Sequence, residues 1–211
     1  MIIDNTELIK NIIAGCGKDE FYMLQIIHRA KDGKTPYEPD DKKISQQTVK
    51  TYYISSPEYL EYKMPEIRDL CELFNARAYI NLNRKSWRQI SLKTLSILAG
   101  IIERAEGNPD EWRGVKTIID SACGQTGACD KNKTWVVDVD TKETSELDVL
   151  KSVIDQCEPF GVDKIVATIP TLHGYHLITR PFNKQKFSQL YNKQIDVHDN
   201  NPTLLYYNCK E

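Results

Sequence analysis

Thr134-Trp135-Val136-Val137-Asp138-Val139-Asp140 is the segment from which the architecture can be inferred. β-Branched and aromatic residues fill its first half, which is typical of a buried strand. Two carboxylates then alternate with Val139, and successive side chains of a strand point to opposite faces. We therefore predict that Asp138 and Asp140 project from one face, about 6–7 Å apart along the strand.

The two carboxylates of this segment suggest a seat for a divalent cation. Like charges this close repel each other unless a cation lies between them, and Mg²⁺ and Mn²⁺ prefer hard oxygen ligands. On these residues alone an ordinary alternative stays open, in which one Asp caps the following turn and the other is solvated.

Composition excludes few classes of function. The chain has 211 residues, of which 40% are hydrophobic and 27% are charged, as in ordinary globular proteins. Its formal net charge of −2 gives no overall basic signature, so binding of nucleic acid would depend on a local basic groove. No apolar run approaches the roughly 18–20 residues of a membrane helix, and we expect no membrane partner.

Six cysteines are spread widely along the chain, which predicts reduced thiols in a cytoplasmic protein. Cys123 and Cys129 form the only close pair in the sequence and flank a glycine-containing loop. A zinc site needs more ligands at comparable spacing, and two further ligands do not follow nearby. We therefore expect no zinc at this loop.

Residues 1–130 alternate between helix and strand patterns. Strands are predicted over Phe21–His28 and Lys50–Ser55, with an exposed charged loop from Arg29 to Lys43 between them. Ser56-Pro57 should open a helix, because Ser is a good cap and Pro suits the first helical position. The other helices are predicted over residues 5–16, 91–105 and 112–122.

The segment 76–84 has the alternation of a strand with one apolar and one polar face. Ala78, Ile80 and Leu82 should face the core. The opposite face carries Arg77, Tyr79, Asn81 and Asn83, which would either line a cleft or lie in solvent.

Residues 134–207 follow the order strand, helix, strand, strand, helix, strand, and then a turn and a final strand. The first six elements have the order of a ferredoxin-like unit. In that topology the first and third strands lie side by side at the centre. We therefore predict an α+β protein in which an N-terminal αβ lobe, residues 1–130, packs on a ferredoxin- or RRM-like βαββαβ lobe, residues 131–211, in one compact unit.

This strand order should bring three polar segments towards one sheet face: Asp138-Val139-Asp140, Thr171–His176 and Ile195–Asp199. Carboxylates with a nearby histidine suit two-metal phosphoryl transfer, in which the histidine hydrogen-bonds a triphosphate oxygen. Arg180 and Lys184 follow the histidine strand and could meet phosphates, with a solvated charge as the alternative.

Together these motifs resemble those of the archaeo-eukaryotic primase superfamily, the primase-polymerases. Thr171-Leu172-His173-Gly174-Tyr175-His176 is similar to a second motif of the type Ser-Gly-x-Gly-Phe-His, with Thr in place of Ser and Leu in place of the first Gly. Ile195-Asp196 and the later Thr203–Tyr206 resemble the third motif and its closing strand. Ala78–Arg84 resembles the strand ending Asn-x-x-Arg in the N-terminal lobe of phage and plasmid members. The resemblance spans about residues 75–207.

The resemblance implies a primase-polymerase-like core with a two-metal site for Mg²⁺ or Mn²⁺. Asp138, Asp140 and Asp196 would be the catalytic metal ligands, and His176 would contact the incoming nucleoside triphosphate. Asp199 stays open as the third acid, although Asp196 is favoured because it lies within the strand. Asn81 and Arg84 join Arg180 and Lys184 as candidate contacts to nucleotide or nucleic acid.

The function implied is that of a DNA primase, a template-directed DNA polymerase, or both. Its partners would be nucleoside triphosphates, a single-stranded DNA template and a separate helicase. The same likeness implies a phage or mobile-element replication protein in the cytoplasm of a bacterial or phage-infected cell.

Three other functions share part of this sequence pattern. A catalytically degenerate primase-like protein would bind single-stranded nucleic acid only, although an acidic sheet face repels phosphate in the absence of metal. A metal-dependent nucleotide-sugar glycosyltransferase would use Asp-x-Asp but leaves His176 unexplained. A haloacid-dehalogenase phosphatase is disfavoured, because Thr141 comes one position too soon for that motif.

Overall fold

In the computed structural model, residues 1–29, 46–129, 133–193 and 195–208 are described, and they form two antiparallel sheets and six α-helices. The predicted α+β class is confirmed. The charged loop predicted from Arg29 to Lys43 lies, from position 30 onward, outside the described residues.

The first sheet is built mainly from the N-terminal part of the chain. Its strands are β1 Ile2–Asp4, β2 Glu20–Arg29, β3 Gln46–Ile54, β4 Arg77–Ile80, β5 Lys85–Ser86 and β10 Thr203–Asn208. The strand order is β1-β10-β4-β2-β3, and β5 pairs with β2. The final strand, β10, thus lies between β1 and β4 of this sheet and does not extend the second sheet.

The second sheet contains β6 Trp135–Val139, β7 Ile165–Pro170, β8 Tyr175–Thr179 and β9 Asp196–His198. Its order is β7-β8-β6-β9, with every neighbouring pair antiparallel. The first and third strands of the predicted unit, β6 and β8, are therefore adjacent and central, which is the ferredoxin-like order expected from the sequence.

Helix starts follow local side-chain chemistry. Ser56 accepts a hydrogen bond from Tyr59 N at the start of the second helix, as its cap position predicts, and Asn183 accepts one from Lys186 N at the start of the sixth. The helices are α1 Thr6–Lys10, α2 Pro57–Leu73, α3 Trp87–Ala105, α4 Ile118–Gln125, α5 Thr144–Asp155 and α6 Lys184–Leu190.

The helix predicted over residues 112–122 is instead a 3₁₀ helix, Pro109–Thr117, followed by α4. Gly114 lies in the 3₁₀ segment and packs closely on α3, since a Cβ there would lie 3.3 Å from Ile101 Cδ1. The apolar spacing marked this segment as helical but could not distinguish the tighter 3₁₀ winding.

One hydrophobic cluster joins the two sheets. It contains Leu24 and Ile80 of the first sheet, Ile67 of α2, and Val136 and Ile178 of the second sheet. A second cluster lies beneath α5 and α6 and is formed by alternate residues of the same strands, including Val137, Val139 and Leu177. The second sheet is therefore covered on one face by helices, and its other face turns towards the first sheet.

Buried asparagines form hydrogen bonds that link the two sheets. Asn83 Nδ2 donates to Thr134 O at 2.8 Å, and Thr134 N donates to Asn83 Oδ1 at 2.7 Å, immediately before β6 begins. Asn5 Nδ2 donates to both Pro170 O and Leu204 O at 2.9 Å. These bonds satisfy backbone groups that burial would otherwise leave without partners.

Candidate functional site

The register of the second sheet places three of the predicted residues in one row. Asp138 of β6 pairs with His176 of β8 on one side and with Asp196 of β9 on the other. Directly opposed residues of antiparallel strands project from the same face. Asp140 follows two positions beyond Asp138 and has the same parity. The face shared by these side chains is the one that turns towards the first sheet.

Gly174 brings the histidine strand against the end of the Asp-x-Asp strand. A Cβ at this position would lie 1.8 Å from Val139 O, 2.8 Å from Thr141 N and 2.9 Å from Thr141 O. No side chain can be accommodated at those distances without movement of backbone. The glycine that the sequence places two residues before His176 is thus required for the close approach of the two strands.

Each ring nitrogen of His176 has a polar neighbour. Nδ1 is hydrogen-bonded to Thr203 Oγ1 at 2.9 Å, and Nε2 lies 3.5 Å from Asp138 Oδ1. Burial lowers the pKa of His176 below the usual histidine value, although the charge of Asp138 opposes part of that effect. The ring is therefore neutral at pH 7. When Thr203 donates to Nδ1, the ring proton lies on Nε2, beside Asp138.

An open cavity of about 360 Å³ lies at the end of β6. Asp138, Asp140 and Asp196 all line it, and so do Glu146 and Lys193, which form an ion pair at 2.7 Å. Its volume is in the range of small-ligand sites. The three predicted metal-binding carboxylates thus share one cavity wall.

A second cavity, of about 350 Å³, lies between the two sheets. Asp138 and Asp140 line it from the second sheet, so the carboxylate pair borders both cavities. The first sheet faces them with Arg29, Arg77 and Tyr79. The polar face predicted for segment 76–84 therefore does line a cleft at its first two polar positions. His176 lines the same cleft, together with two further histidines, His173 and His198.

The alternative third acid, Asp199, is engaged elsewhere. Its carboxylate forms an ion pair with Lys184 Nζ, which also donates to Val197 O and lies 4.4 Å from the centre of the Trp135 ring. Asp199 lines neither of the two cavities around Asp138. The geometry therefore favours Asp196 over Asp199 and places Lys184 in a structural ion pair.

Several other predicted contacts lie away from the carboxylates. Asn81 is buried and donates to Asn200 O at 2.8 Å. Arg84 forms an ion pair with Glu20 at 2.7 Å. Arg180 is exposed and lines neither cavity. These residues stabilise loops or lie in solvent.

Sequence reasoning missed two cations near the carboxylates. Arg29 is the last residue of β2 and borders the inter-sheet cleft, with its guanidinium 4.8 Å from the centre of the Tyr79 ring. Lys193 follows α6 and borders the other cavity. Neither residue belongs to a local sequence motif. Both come close to Asp138 and Asp140 only when the chain folds.

The donor set suits a hard divalent cation, since carboxylate oxygens on one strand row are the ligands that Mg²⁺ and Mn²⁺ prefer. Among the residues that the structure describes, no three His, Cys, Asp or Glu side chains stand close enough to form a ready-made metal group. Binding a cation would therefore require Asp138, Asp140 and Asp196 to turn towards one another across their shared cavity.

The Cys123–Cys129 loop has a different character. Cys123 is buried in an apolar cluster with Phe21, Ile90 and Ala122, and burial raises the pKa of its thiol to about 11. A thiol that is protonated at neutral pH packs as a small hydrophobic side chain.

In the described ranges, none of the helices has the length and apolar character needed to cross a membrane. Comparisons of the chain with protein-family models, curated proteins and solved structures give no match. The likeness to primase-polymerases accordingly depends on the motifs and on the strand order.

Proposed function

We propose that this protein is a metal-dependent nucleotidyltransferase that acts as a DNA primase, a template-directed DNA polymerase, or both. The observation that carries the proposal is the row His176–Asp138–Asp196, which lies on one sheet face with Asp140 beside it. This row borders two cavities that share Asp138 and Asp140 in their linings. The motif order that resembles primase-polymerases supports the same reaction.

The charges across the inter-sheet cleft suit a nucleoside triphosphate with its metal ions. Asp138 and Asp140 supply negative charge on one wall, and Arg29 and Arg77 supply positive charge on the other. Guanidinium groups bind phosphate oxygens strongly, whereas carboxylates need a cation between themselves and phosphate. A purely acidic or purely basic cleft would lack this division of roles.

Each residue then has a defined task. Asp138, Asp140 and Asp196 would hold Mg²⁺ or Mn²⁺, which supplies phosphate charge neutralisation and activation of the attacking hydroxyl when bound. His176, neutral and fixed by Thr203, can donate from Nε2 to a phosphate oxygen. Arg29 and Arg77 can orient the triphosphate from the opposite wall.

The proposed partners are nucleoside triphosphates, a single-stranded DNA template and a separate helicase, and the proposed setting is the cytoplasm of a bacterial or phage-infected cell. Primer extension and de novo synthesis, each with Mg²⁺ or Mn²⁺, test the reaction. We expect Asp138→Asn and Asp196→Asn to reduce product formation on the order of 100-fold or more, as for loss of a group that stabilises the transition state.

Asp199→Asn is the matched control, because it alters a nearby Asp that pairs with Lys184 and lies outside both cavities. It should keep most of the activity. Activity that survives loss of Asp138 would contradict the mechanism. An inactive wild type that binds single strands without metal would identify a binding module, and turnover of a sugar nucleotide would identify a glycosyltransferase.

A further inference from the structure

Helix α3 carries an apolar stripe on the face that points away from the protein. Leu92, Leu95 and Ile102 are 60%, 63% and 48% exposed, and Ala99 between them is exposed as well. The opposite face of the helix is buried through Ile90 and Ile101, and Ile97 packs beside them. Since exposed large apolar residues in a row mark interaction surfaces, this stripe is a candidate surface for a partner.

The spacing of the stripe is that of a helix-pairing seam. Positions 92, 95, 99 and 102 are separated by three, four and three residues, the alternation that keeps one apolar line facing a second helix. Extending the same alternation by four residues in each direction reaches Arg88 and Glu106, both exposed. The seam thus has an apolar centre, a positive end and a negative end.

The stripe is complementary to itself when two copies run antiparallel. A twofold axis level with position 97 places Leu92 opposite Ile102 of the second copy and Leu95 opposite Ala99. The same axis places Arg88 opposite Glu106 of the second copy. A large residue then meets a small one at the centre, and opposite charges meet at both ends. A parallel pair would instead place like charges together.

We propose that α3 is a homodimerisation helix, which pairs with α3 of a second copy of this chain in an antiparallel arrangement. The stripe residues line neither of the cavities around Asp138, so the dimer leaves both open. Its 19 residues give a seam about 28 Å long. One helix from each copy forms a narrow interface compared with the roughly 800 Å² per partner of stable complexes, so the dimer is expected to depend on concentration.

Sedimentation equilibrium of the full chain from about 1 µM to about 500 µM tests the pairing. The wild-type mass should rise with concentration from the monomer mass of 24.3 kDa towards twice that value. Leu95→Asp should remain monomeric throughout. Val149→Asp is the control, because Val149 is a 53% exposed apolar residue on a different helix, α5, and its substitution should leave dimerisation unchanged.

A charge exchange then tests the antiparallel geometry. Arg88→Glu and Glu106→Arg should each weaken the dimer up to roughly tenfold, because each creates two like-charge pairs per dimer, and combining them should restore wild-type affinity. Circular dichroism verifies that each variant stays folded. A wild type that stays monomeric at the highest concentration, or a double variant no tighter than the single ones, would overturn the proposal.

Discussion

At Gly174, the absence of a side chain allows the two strands that carry the candidate site to approach each other. Val139 O occupies the space that a Cβ would need, so the histidine strand can approach the Asp-x-Asp strand only at glycine. The sequence allowed Asp138, Asp196 and His176 to be placed on one face, because strand side chains alternate with a period of two. The sequence favoured Asp196 over Asp199 but left Asp199 open, because the ion pair of Asp199 with Lys184 is visible only in the structure.

We predict that Gly174→Ala destabilises the protein by about 1–3 kcal/mol, the usual range for overpacking a closely packed position. Thermal denaturation followed by circular dichroism measures the change in Tm. Gly15→Ala provides the comparison, because nothing lies within 4 Å of a Cβ at position 15. Equal Tm values for the two variants would show that the strands can separate at no cost.

At the scale of elements, sequence patterns succeeded where local chemistry sets a boundary. The capped start of α2 lies where Ser56-Pro57 predicted it, and the six elements from β6 to β9 follow the predicted order. Sequence patterns were less successful where contacts between distant segments determine the bounds of an element. Strand β4 ends at Ile80, and the side chains of Asn81 and Asn83 beyond it bond the β9–β10 turn and Thr134. The short strand β1 was not predicted, since it is stabilised by pairing with the distant β10.

The two hydrogen bonds between Asn83 and Thr134 link the sheets and should make a measurable contribution to the free energy of unfolding. Asn83→Ala leaves Thr134 N and O without these partners in a partly buried setting, and we expect a loss of about 1–3 kcal/mol of unfolding free energy. Urea denaturation gives the value. Asn192→Ala, at an exposed position, should change stability by no more than about 0.5 kcal/mol. A similar small effect at Asn83 would contradict the assigned role.

In the molecule as a whole, the last described strand lies in the same sheet as the first. Strand β10 fills the position between β1 and β4, and the main cluster takes residues from both sheets. The boundary between the two lobes was predicted at residue 130, where one set of sequence motifs ends and the next begins. The sequence pattern does not indicate that β10 pairs with β4, which lies about 120 residues earlier in the chain. Strand pairing over such a distance leaves no local signal.

This arrangement predicts that residues 1–130 do not fold alone. The fragment lacks β10, so β1 and β4 lose their common neighbour, and it also lacks Val136 and Ile178 from the main cluster. We expect no cooperative thermal transition in circular dichroism. A chain ending at residue 208 retains β10 and should unfold cooperatively. Cooperative unfolding of the shorter fragment would mean that the first sheet is independent.

We propose that Asp138, Asp140 and Asp196 together hold a catalytic divalent cation. Titration of Mn²⁺ by electron paramagnetic resonance, with a non-hydrolysable nucleoside triphosphate present, tests it most directly. We predict that the wild type and Asp199→Asn bind Mn²⁺ with similar affinity, and that Asp138→Asn and Asp196→Asn each weaken binding at least about tenfold. Equal Mn²⁺ affinity in the wild type and Asp138→Asn would contradict the account.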